Sequence, residues 1–181
     1  MKVLLSLALG IGLQTVAHAS VVEVKREQKV SKNPTELYQV LTAYDETCDT
    51  GCKYRVKGLQ ESKLIENLGD EQFIWQRLSG VSETRQFIHN QVFYGDKGQI
   101  SFVSEYPSTD KIAELSSKAG EVQKSIFRTL TLKWIFTPQD DGTTLASVTM
   151  RVDHSLPEVA SPIIRNALEQ STLDLFKNFS I

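Results

Sequence analysis

Residues 156–181 read LPEVASPIIRNALEQSTLDLFKNFSI, and this stretch decides the fold. A Ser161 N-cap followed by Pro162 predicts the start of a helix, because proline fits a first helical turn in which its missing N–H is not needed. Apolar or small side chains then recur every three or four residues, at Ile163, Ile164, Ala167, Leu168, Ser171, Leu175 and Phe179. The pattern predicts a long amphipathic helix whose apolar face requires a broad surface to cover it.

Most of the chain before this helix has the residue pattern of β-strands separated by turns. Residues 20–30 alternate between apolar and charged side chains, which predicts a half-exposed strand. Further strands are predicted at 54–67, 72–78, 84–94, 99–106, 125–137 and 143–153. A twisted antiparallel sheet wrapped around the terminal helix is the simplest surface that these strands can offer, so we predict an α+β fold.

Two shorter stretches are also predicted to contain helices. In the motif NPTE at residues 33–36, Asn33 caps a helix and Glu36 completes a capping box, so a helix should begin here and end near Asp45. Residues 108–123 are polar, with weak helical periodicity. We interpret them as a loop with a short helix that moves as a lid.

Residues 1–19 have the features of an export signal. Lys2 gives a positive start, residues 3–13 are apolar, and Ala17-His18-Ala19 has the small-x-small form of a signal-peptidase site. The apolar run is shorter than the about 20 residues that span a bilayer, and an uncleaved anchor is the alternative. We expect cleavage to leave one domain, residues 20–181, as a soluble monomer in the periplasm or outside the cell.

Cys48 and Cys52 are the two cysteines of the chain, in the sequence TCDTGC. In an oxidising compartment the pair predicts a small disulfide loop, with Gly51 supplying flexibility. A redox pair or half of a metal site are the alternatives, although the spacing is not Cys-x-x-Cys.

Composition and missing motifs exclude several classes of function. The chain has 20 Lys and Arg against 22 Asp and Glu, a net charge of −2, and no clustered basic stretch, which argues against a nucleic-acid partner. The few histidines do not cluster with carboxylates, so no metal site is predicted. A Gly-rich phosphate loop and a Gly-x-Ser-x-Gly elbow are both missing, and we expect no cofactor.

The order of these elements resembles the helix-grip fold of the START-like superfamily. The resemblance rests on the NPTE motif, on VTMRVDHSLPE at residues 148–158 and on PIIRNALEQSTLDLF at residues 162–176. This group includes START lipid-transfer domains, coenzyme-Q-binding proteins, polyketide cyclases and relatives of the birch-pollen allergen. The resemblance implies a ligand cavity between a curved sheet and the terminal helix.

Arg128 is the first candidate for a polar ligand-binding residue in such a cavity. Alternate strand residues share a face, and Arg128 interrupts an apolar row formed by Ile126, Leu130, Leu132, Trp134 and Phe136. Inside the cavity, its guanidinium would bind a carboxylate, phosphate or quinone oxygen. Alternatively, Arg128 extends to water or pairs with Glu105 or Asp153.

The strand at 84–94 offers two further candidates, Arg85 and His89, which share one face. Arg85 resembles the Arg of an Arg-Asp pair that START domains commonly carry, but Gln86 stands in place of the Asp. Both faces of this strand carry apolar side chains, so the sequence leaves open which one lines the cavity. His154, at a strand end, is predicted to pack against or cap the terminal helix, with a catalytic role as the alternative.

Apolar side chains complete the predicted ligand-binding set. They are placed by strand parity or by the helical stripe, and ordinary core packing is the alternative for all of them. These residues are Trp75, Phe102, Tyr106, Leu130, Met150, Ile164 and Leu168.

Three functions from different classes follow from this reading. The leading hypothesis is an exported, non-enzymatic carrier of a hydrophobic or amphipathic small molecule, such as a lipid or quinone, which contacts membranes transiently. The second is a cyclase- or hydrolase-type enzyme with His89 or His154 as general base, which requires a histidine in the cavity. The third is an interaction module with a filled core, which a lack of any pocket of about 300 Å³ would favour.

Overall fold

The computed structural model describes residues 20–79, 83–120, 122 and 127–179 and has the predicted α+β fold. The nine strands of this part of the chain are β1 (Ser20–Val30), β2 (Thr47–Cys48), β3 (Tyr54–Arg55), β4 (Leu59–Asn67), β5 (Glu71–Leu78), β6 (Thr84–Tyr94), β7 (Ile100–Glu105), β8 (Phe127–Pro138) and β9 (Thr144–His154). Its α-helices are α1 (Pro34–Thr42), α2 (Thr109–Ala119) and α3 (Ser161–Asn178). The predicted signal peptide lies outside the described residues and stays a prediction.

Seven of the strands form one antiparallel sheet in the order β1-β9-β8-β7-β6-β5-β4. Strands β4 to β8 each pair with the next strand along the chain, and β1 pairs with β9. The predicted strand at 54–67 is in fact divided into β3 and β4, and β3 forms a small parallel pair with β2. Helix α3 packs on one face of the large sheet, as the helix-grip architecture requires.

The capping box of α1 is confirmed. The Glu36 backbone N–H donates to Asn33 Oδ1 at 3.0 Å, and the Asn33 N–H donates to Glu36 Oε2 at 2.8 Å. These reciprocal bonds satisfy donors that a helix start leaves without intrahelical partners. The helix ends at Thr42, before the predicted Asp45, and continues into a 3₁₀ turn.

The start of α3 differs from the prediction. Ser161 is the first helical residue rather than the N-cap, and its Oγ lies 3.1 Å from His154 Nε2. The predicted packing role of His154 therefore fits its position, since the imidazole is fully buried between β9 and α3.

The buried stripe of α3 is also narrower than predicted. It recurs every four residues, at Ile164, Leu168, Thr172 and Phe176. Ile163 is 73% exposed because neighbouring positions on a helix differ by about 100°, so Ile163 cannot share the face of Ile164.

Two apolar clusters attach α3 to the sheet. Near its start, Ile164 and Leu168 pack against β1 and β9. Near its end, Phe176 and Phe179 each lie with their ring centroids 5.2 Å from that of Trp134 on β8. Edge-to-face pairs of this kind add about 0.5–1.5 kcal/mol each beyond the burial of their area.

Helix α2 lies on the opposite face of the sheet from α3. Its Leu115 is buried against Phe73 of β5 and Phe87 of β6. This position contradicts the prediction that residues 108–123 form a lid over the cavity, because the sheet separates α2 from α3.

Replacement of Asn33 by Ala should lower the free energy of unfolding by about 1 kcal/mol, since it removes the N-cap acceptor of α1. Asn33→Ser keeps a capping oxygen and should retain most of the stability. Urea denaturation of both variants measures the effect. Equal stability of Asn33→Ala and wild type would contradict the contribution assigned to the box.

Candidate ligand cavity

A cavity of about 260 Å³ lies between the sheet and the second half of α3. Helix α1 and the chain segment between α1 and β4 close its sides. Its walls consist of Val40, Leu41, Tyr44, Thr47, Tyr54, Val56, Lys57, Leu59, Ser62, Gln76, Leu78, Ile88, Asn90, Phe102, Ser104, Leu130, Leu132, Trp134, Met150, Ser171, Leu175 and Asn178.

Three of the predicted ligand-binding residues line this cavity: Phe102, Leu130 and Met150. Ile164 and Leu168 do not, and instead pack beside Met150 in the cluster that attaches the start of α3. Of the ten predicted ligand-binding residues, these three on the sheet are therefore the ones that line the cavity, and neither predicted residue of α3 does.

Arg128 does not occupy the cavity position that strand parity predicts. The pairing of β8 with β9 shifts between Phe127 and Thr129, where Arg128 is an extra residue without a partner on β9. Such a bulge resets the alternation. Phe127 consequently packs against the apolar cluster that contains Ile164 and Leu168, whereas Arg128 is exposed to solvent.

Arg85, His89 and Trp75 lie on the outer face of the sheet, which corrects their predicted place in the cavity. On β6 it is Ile88 and Asn90, of the other parity, that line the cavity. Trp75 packs in the α2 cluster. This outer face also carries the buried Phe87, and both Arg85 and His89 have acidic neighbours there.

Arg85 and His89 both make their contacts on the outer face of the sheet. A guanidinium nitrogen of Arg85 lies 2.8 Å from a carboxylate oxygen of Glu83. The His89 ring stacks on Phe73 at 4.6 Å between centroids, and its Nε2 lies 3.5 Å from a Glu71 carboxylate oxygen. Neither residue reaches the cavity, nor does the buried His154.

Two chains of neutral polar side chains support the β5–β6 wall. In the first, Asn90 Nδ2 donates to Tyr44 Oη at 2.7 Å, and the Tyr44 hydroxyl donates to Gln72 Oε1 at 2.7 Å. Burial of the Tyr44 phenol raises its pKa above the ordinary range, which keeps it neutral. The first chain thereby links the 3₁₀ turn after α1 to β5 and β6.

The second chain includes Tyr106, another predicted ligand-binding residue. Its hydroxyl donates to Gln86 Oε1 at 3.3 Å, and Gln86 Nε2 donates to Gln76 Oε1 at 3.1 Å. Tyr106 is therefore connected to the cavity through Gln76 without lining it.

Three polar atoms of cavity-lining residues are buried without a hydrogen-bond partner among the described residues. They are Ser62 Oγ, Asn90 Oδ1 and Trp134 Nε1. Unpaired buried polar groups destabilise a fold by about 1–3 kcal/mol each, so a bound molecule that bonded to them would be stabilising.

Residues 47–59, which we call the disulfide segment, form the wall of the cavity beside α3. The predicted disulfide between Cys48 and Cys52 is confirmed, with Cα atoms 5.4 Å apart. Farther along, Asp49 Oδ2 accepts a bond from the Gly58 N–H at 3.0 Å. The disulfide therefore closes a loop at the start of the segment, and the Asp49–Gly58 bond joins the start of the segment to its end.

Asn178, near the end of α3, holds the disulfide segment against the helix. Its Oδ1 accepts from the Arg55 N–H at 3.1 Å, and its Nδ2 donates to the Arg55 carbonyl at 2.9 Å. A single buried side chain therefore satisfies both backbone groups of one residue.

Sequence reasoning missed Asn178, Tyr44, Asn90 and the disulfide segment as parts of the cavity. Asn178 lies on the side of α3 that the sequence predicts to be solvated. Its partner is 123 residues away, so no local signal identifies the contact. Both Tyr44 and Asn90 had a signal in the sequence. Tyr44 is a polar side chain on the apolar stripe of the first predicted helix, and Asn90 is one on an apolar face of its strand.

Within the described ranges, no set of three or more His, Cys, Asp or Glu side chains is grouped as a metal site would require. Across these same residues, each helix is too short or too polar to pass through a bilayer.

The solved structures that resemble this chain include lipid-transfer and cyclase proteins. The STAR-related lipid transfer protein from Xanthomonas axonopodis matches with a TM-score of 0.66 and 14% identity, over 88% of this chain and 86% of that one. Human STARD10 matches with a TM-score of 0.64 and 11% identity, over 87% of this chain, which spans only 62% of that one. The Zhui aromatase/cyclase from Streptomyces sp. R1128 matches with a TM-score of 0.54 and 9% identity, over 88% of each chain.

These matches give the class of the fold. No family model matches the sequence, and no curated protein matches it either. At such low identities the likeness is one of architecture, and it agrees with the observed sheet and terminal helix. The chain has the START-like helix-grip fold, as predicted.

Asn178→Ala should release the disulfide segment from α3, because it removes both bonds to Arg55. We expect faster hydrogen–deuterium exchange across residues 47–59 and a loss of about 1–3 kcal/mol in unfolding free energy. Mass spectrometry of the exchanged peptides measures this, with Asn166→Ala, at an exposed position of α3, as the matched control. Unchanged exchange in Asn178→Ala would contradict the assigned role.

Proposed function

We propose that the protein is a non-enzymatic carrier that binds one hydrophobic or amphipathic small molecule, such as a lipid or quinone, between the sheet and α3. The supporting observation is a mainly apolar cavity that also contains three buried polar atoms without partners among the described residues. Apolar burial at about 25 cal/mol per Å² would supply most of the affinity. The polar atoms would orient the ligand.

The volume of the cavity, taken alone, slightly favours an interaction module with a filled core over a carrier. At about 260 Å³, the cavity is slightly smaller than the about 300 Å³ at which small-molecule pockets begin. The composition of the wall favours the carrier, because Ser62, Asn90 and Trp134 give a mainly apolar cavity polar groups with which a ligand would bond.

The enzyme hypothesis has no comparable support. It requires His89 or His154 inside the cavity with an acidic partner. His89 lies on the outer face, and His154 is buried against the start of α3. The general base that this hypothesis names is therefore out of reach of a ligand in the cavity.

Of two structural neighbours, one has a name that agrees with the carrier hypothesis and the other a name that agrees with the cyclase-type enzyme hypothesis. The Xanthomonas protein is a STAR-related lipid transfer protein, whereas Zhui is an aromatase/cyclase. The Xanthomonas protein has the higher TM-score, which favours the carrier. The carrier also requires no reaction that depends on a histidine.

Export to the periplasm or the medium is part of the proposal, as is a monomeric state with transient membrane contact. The Cys48–Cys52 disulfide supports an oxidising compartment, since disulfides are rare in reducing ones. The signal-like residues 1–19 support the same location. A lipid carrier would need the membrane contact to collect its ligand.

The disulfide segment is the part of the wall that we expect to open for the ligand. Its strands β2 and β3 form a small sheet of their own, its end joins the large sheet at Leu59, and it contacts α3 through the two Asn178 bonds. Many of its side chains, including Lys53 and Lys57, are exposed. The segment thus takes over the lid role that the sequence assigned to residues 108–123.

Native mass spectrometry of the protein purified from its own compartment tests the carrier function. We expect one bound small molecule per chain, released by organic extraction as a lipid or quinone. A mass equal to that of the bare chain, unchanged after incubation with lipid and quinone mixtures, would favour the filled-core interaction module instead.

Leu175→Trp should abolish this ligand adduct, because the larger side chain fills the cavity from α3. Ile163→Trp introduces the same side chain at a position of α3 that is 73% exposed and should leave the adduct unchanged. Thermal melts of both variants check that each is folded. Retention of the ligand by a folded Leu175→Trp variant would place the site elsewhere.

A further inference from the structure

The walls of the cavity differ sharply in polarity from one side to the other. Strands β8 and β9 and the adjoining helices contribute mainly apolar side chains, such as Leu132, Met150 and Leu175. The four consecutive strands β4 to β7 each contribute one apolar residue and also one neutral polar residue; the polar residues are Ser62, Gln76, Asn90 and Ser104.

These four residues form two pairs of neighbours, separated on β5 and β6 by the Ile74–Ile88 pair, and we call the two pairs together the neutral polar wall. Ser62 is paired with Gln76 across β4 and β5, and Asn90 with Ser104 across β6 and β7. Ser62, Asn90 and Ser104 are all buried. The neutral polar wall therefore consists mainly of buried side chains of the sheet and not of surface side chains.

The cavity is also almost free of charge. Among its described lining residues, Lys57 alone is charged, and its side chain is exposed to solvent. Burying an ionised carboxylate or phosphate without a nearby cation is strongly unfavourable. The apolar and neutral walls therefore disfavour an anionic group inside the cavity.

The hydrogen-bonding direction of Asn90 points to the kind of group that the wall accepts. Its Nδ2 is used by Tyr44, so its Oδ1 remains as a buried acceptor without a donor among the described residues. A ligand hydroxyl can donate to this oxygen. An ionised carboxylate or phosphate has only acceptor oxygens and would repel it.

We infer that the cavity selects a small neutral amphiphile that carries a hydroxyl group, and that it rejects ionised carboxylates and phosphates. The hydroxyl lies at the neutral polar wall, and the apolar part lies between β8, β9 and α3. This inference rests on the proposed carrier function and specifies the chemistry of its ligand.

Decan-1-ol and decanoate form a matched pair of probes, because they share a chain length and differ in the head group. Isothermal titration calorimetry at pH 8 keeps the acid ionised, since carboxylic acids titrate at about pH 4. We expect the alcohol to bind the purified protein at least tenfold more tightly than decanoate. Equal or tighter binding of decanoate would overturn the selection of neutral ligands while leaving the carrier function intact.

Two further outcomes complete the test. If neither probe binds, the inference fails, while the carrier function is decided separately by the native mass spectrum. Asn90→Leu should reduce decan-1-ol affinity about tenfold relative to wild type, whereas Asn166→Leu, the same change at an exposed site on α3, should not. An unchanged alcohol affinity in a folded Asn90→Leu variant would contradict the role of the neutral polar wall.

Discussion

The attachment of α3 to the sheet by two separate apolar clusters is the constraint on which the rest of the structure depends. Ile164 and Leu168 hold its start, and Phe176 and Phe179 hold its end against Trp134. The helix is therefore rigidly placed, and the neighbouring stripe of Ser171 and Leu175 faces the cavity. A small side chain such as Ser171 does not fill the space between helix and sheet, so a cavity remains where a bulkier stripe would close it.

The same geometry explains the distribution of polarity around the cavity. The end of α3 packs with Val92 of β6 and with Ile100 and Phe102 of β7. Elsewhere the inner faces of β4 to β7 also carry amides and hydroxyls, some of which bond to one another and to Tyr44. The amides and serine hydroxyls carry no charge, and burial raises the pKa of the Tyr44 phenol and keeps it protonated. The outer face of these strands is covered by α2, and the charged groups near His89 and Arg85 lie on that side.

Much of the fold could be predicted from the sequence because its signals are local. The capping box at Asn33 and the Cys48–Cys52 loop depend on neighbouring residues, and the order of the main elements follows from periodicity. The facing of β6 could not be predicted, because both of its faces are buried and both carry apolar side chains. Arg128 was misplaced because a one-residue bulge leaves no trace in a two-residue alternation, and the Asn178 contact depends on chain folding over a long separation.

The two tryptophans of the chain provide the most direct measurement of the central claim, that ligand binds between the sheet and α3. Trp134 lines the cavity, whereas Trp75 packs against α2 on the opposite face. Titration of ¹⁵N-labelled protein with a bound ligand, followed through the two indole N–H resonances, should shift the Trp134 signal and leave that of Trp75 in place. A ligand that binds at one per chain and shifts Trp75 alone, or neither signal, would contradict the account.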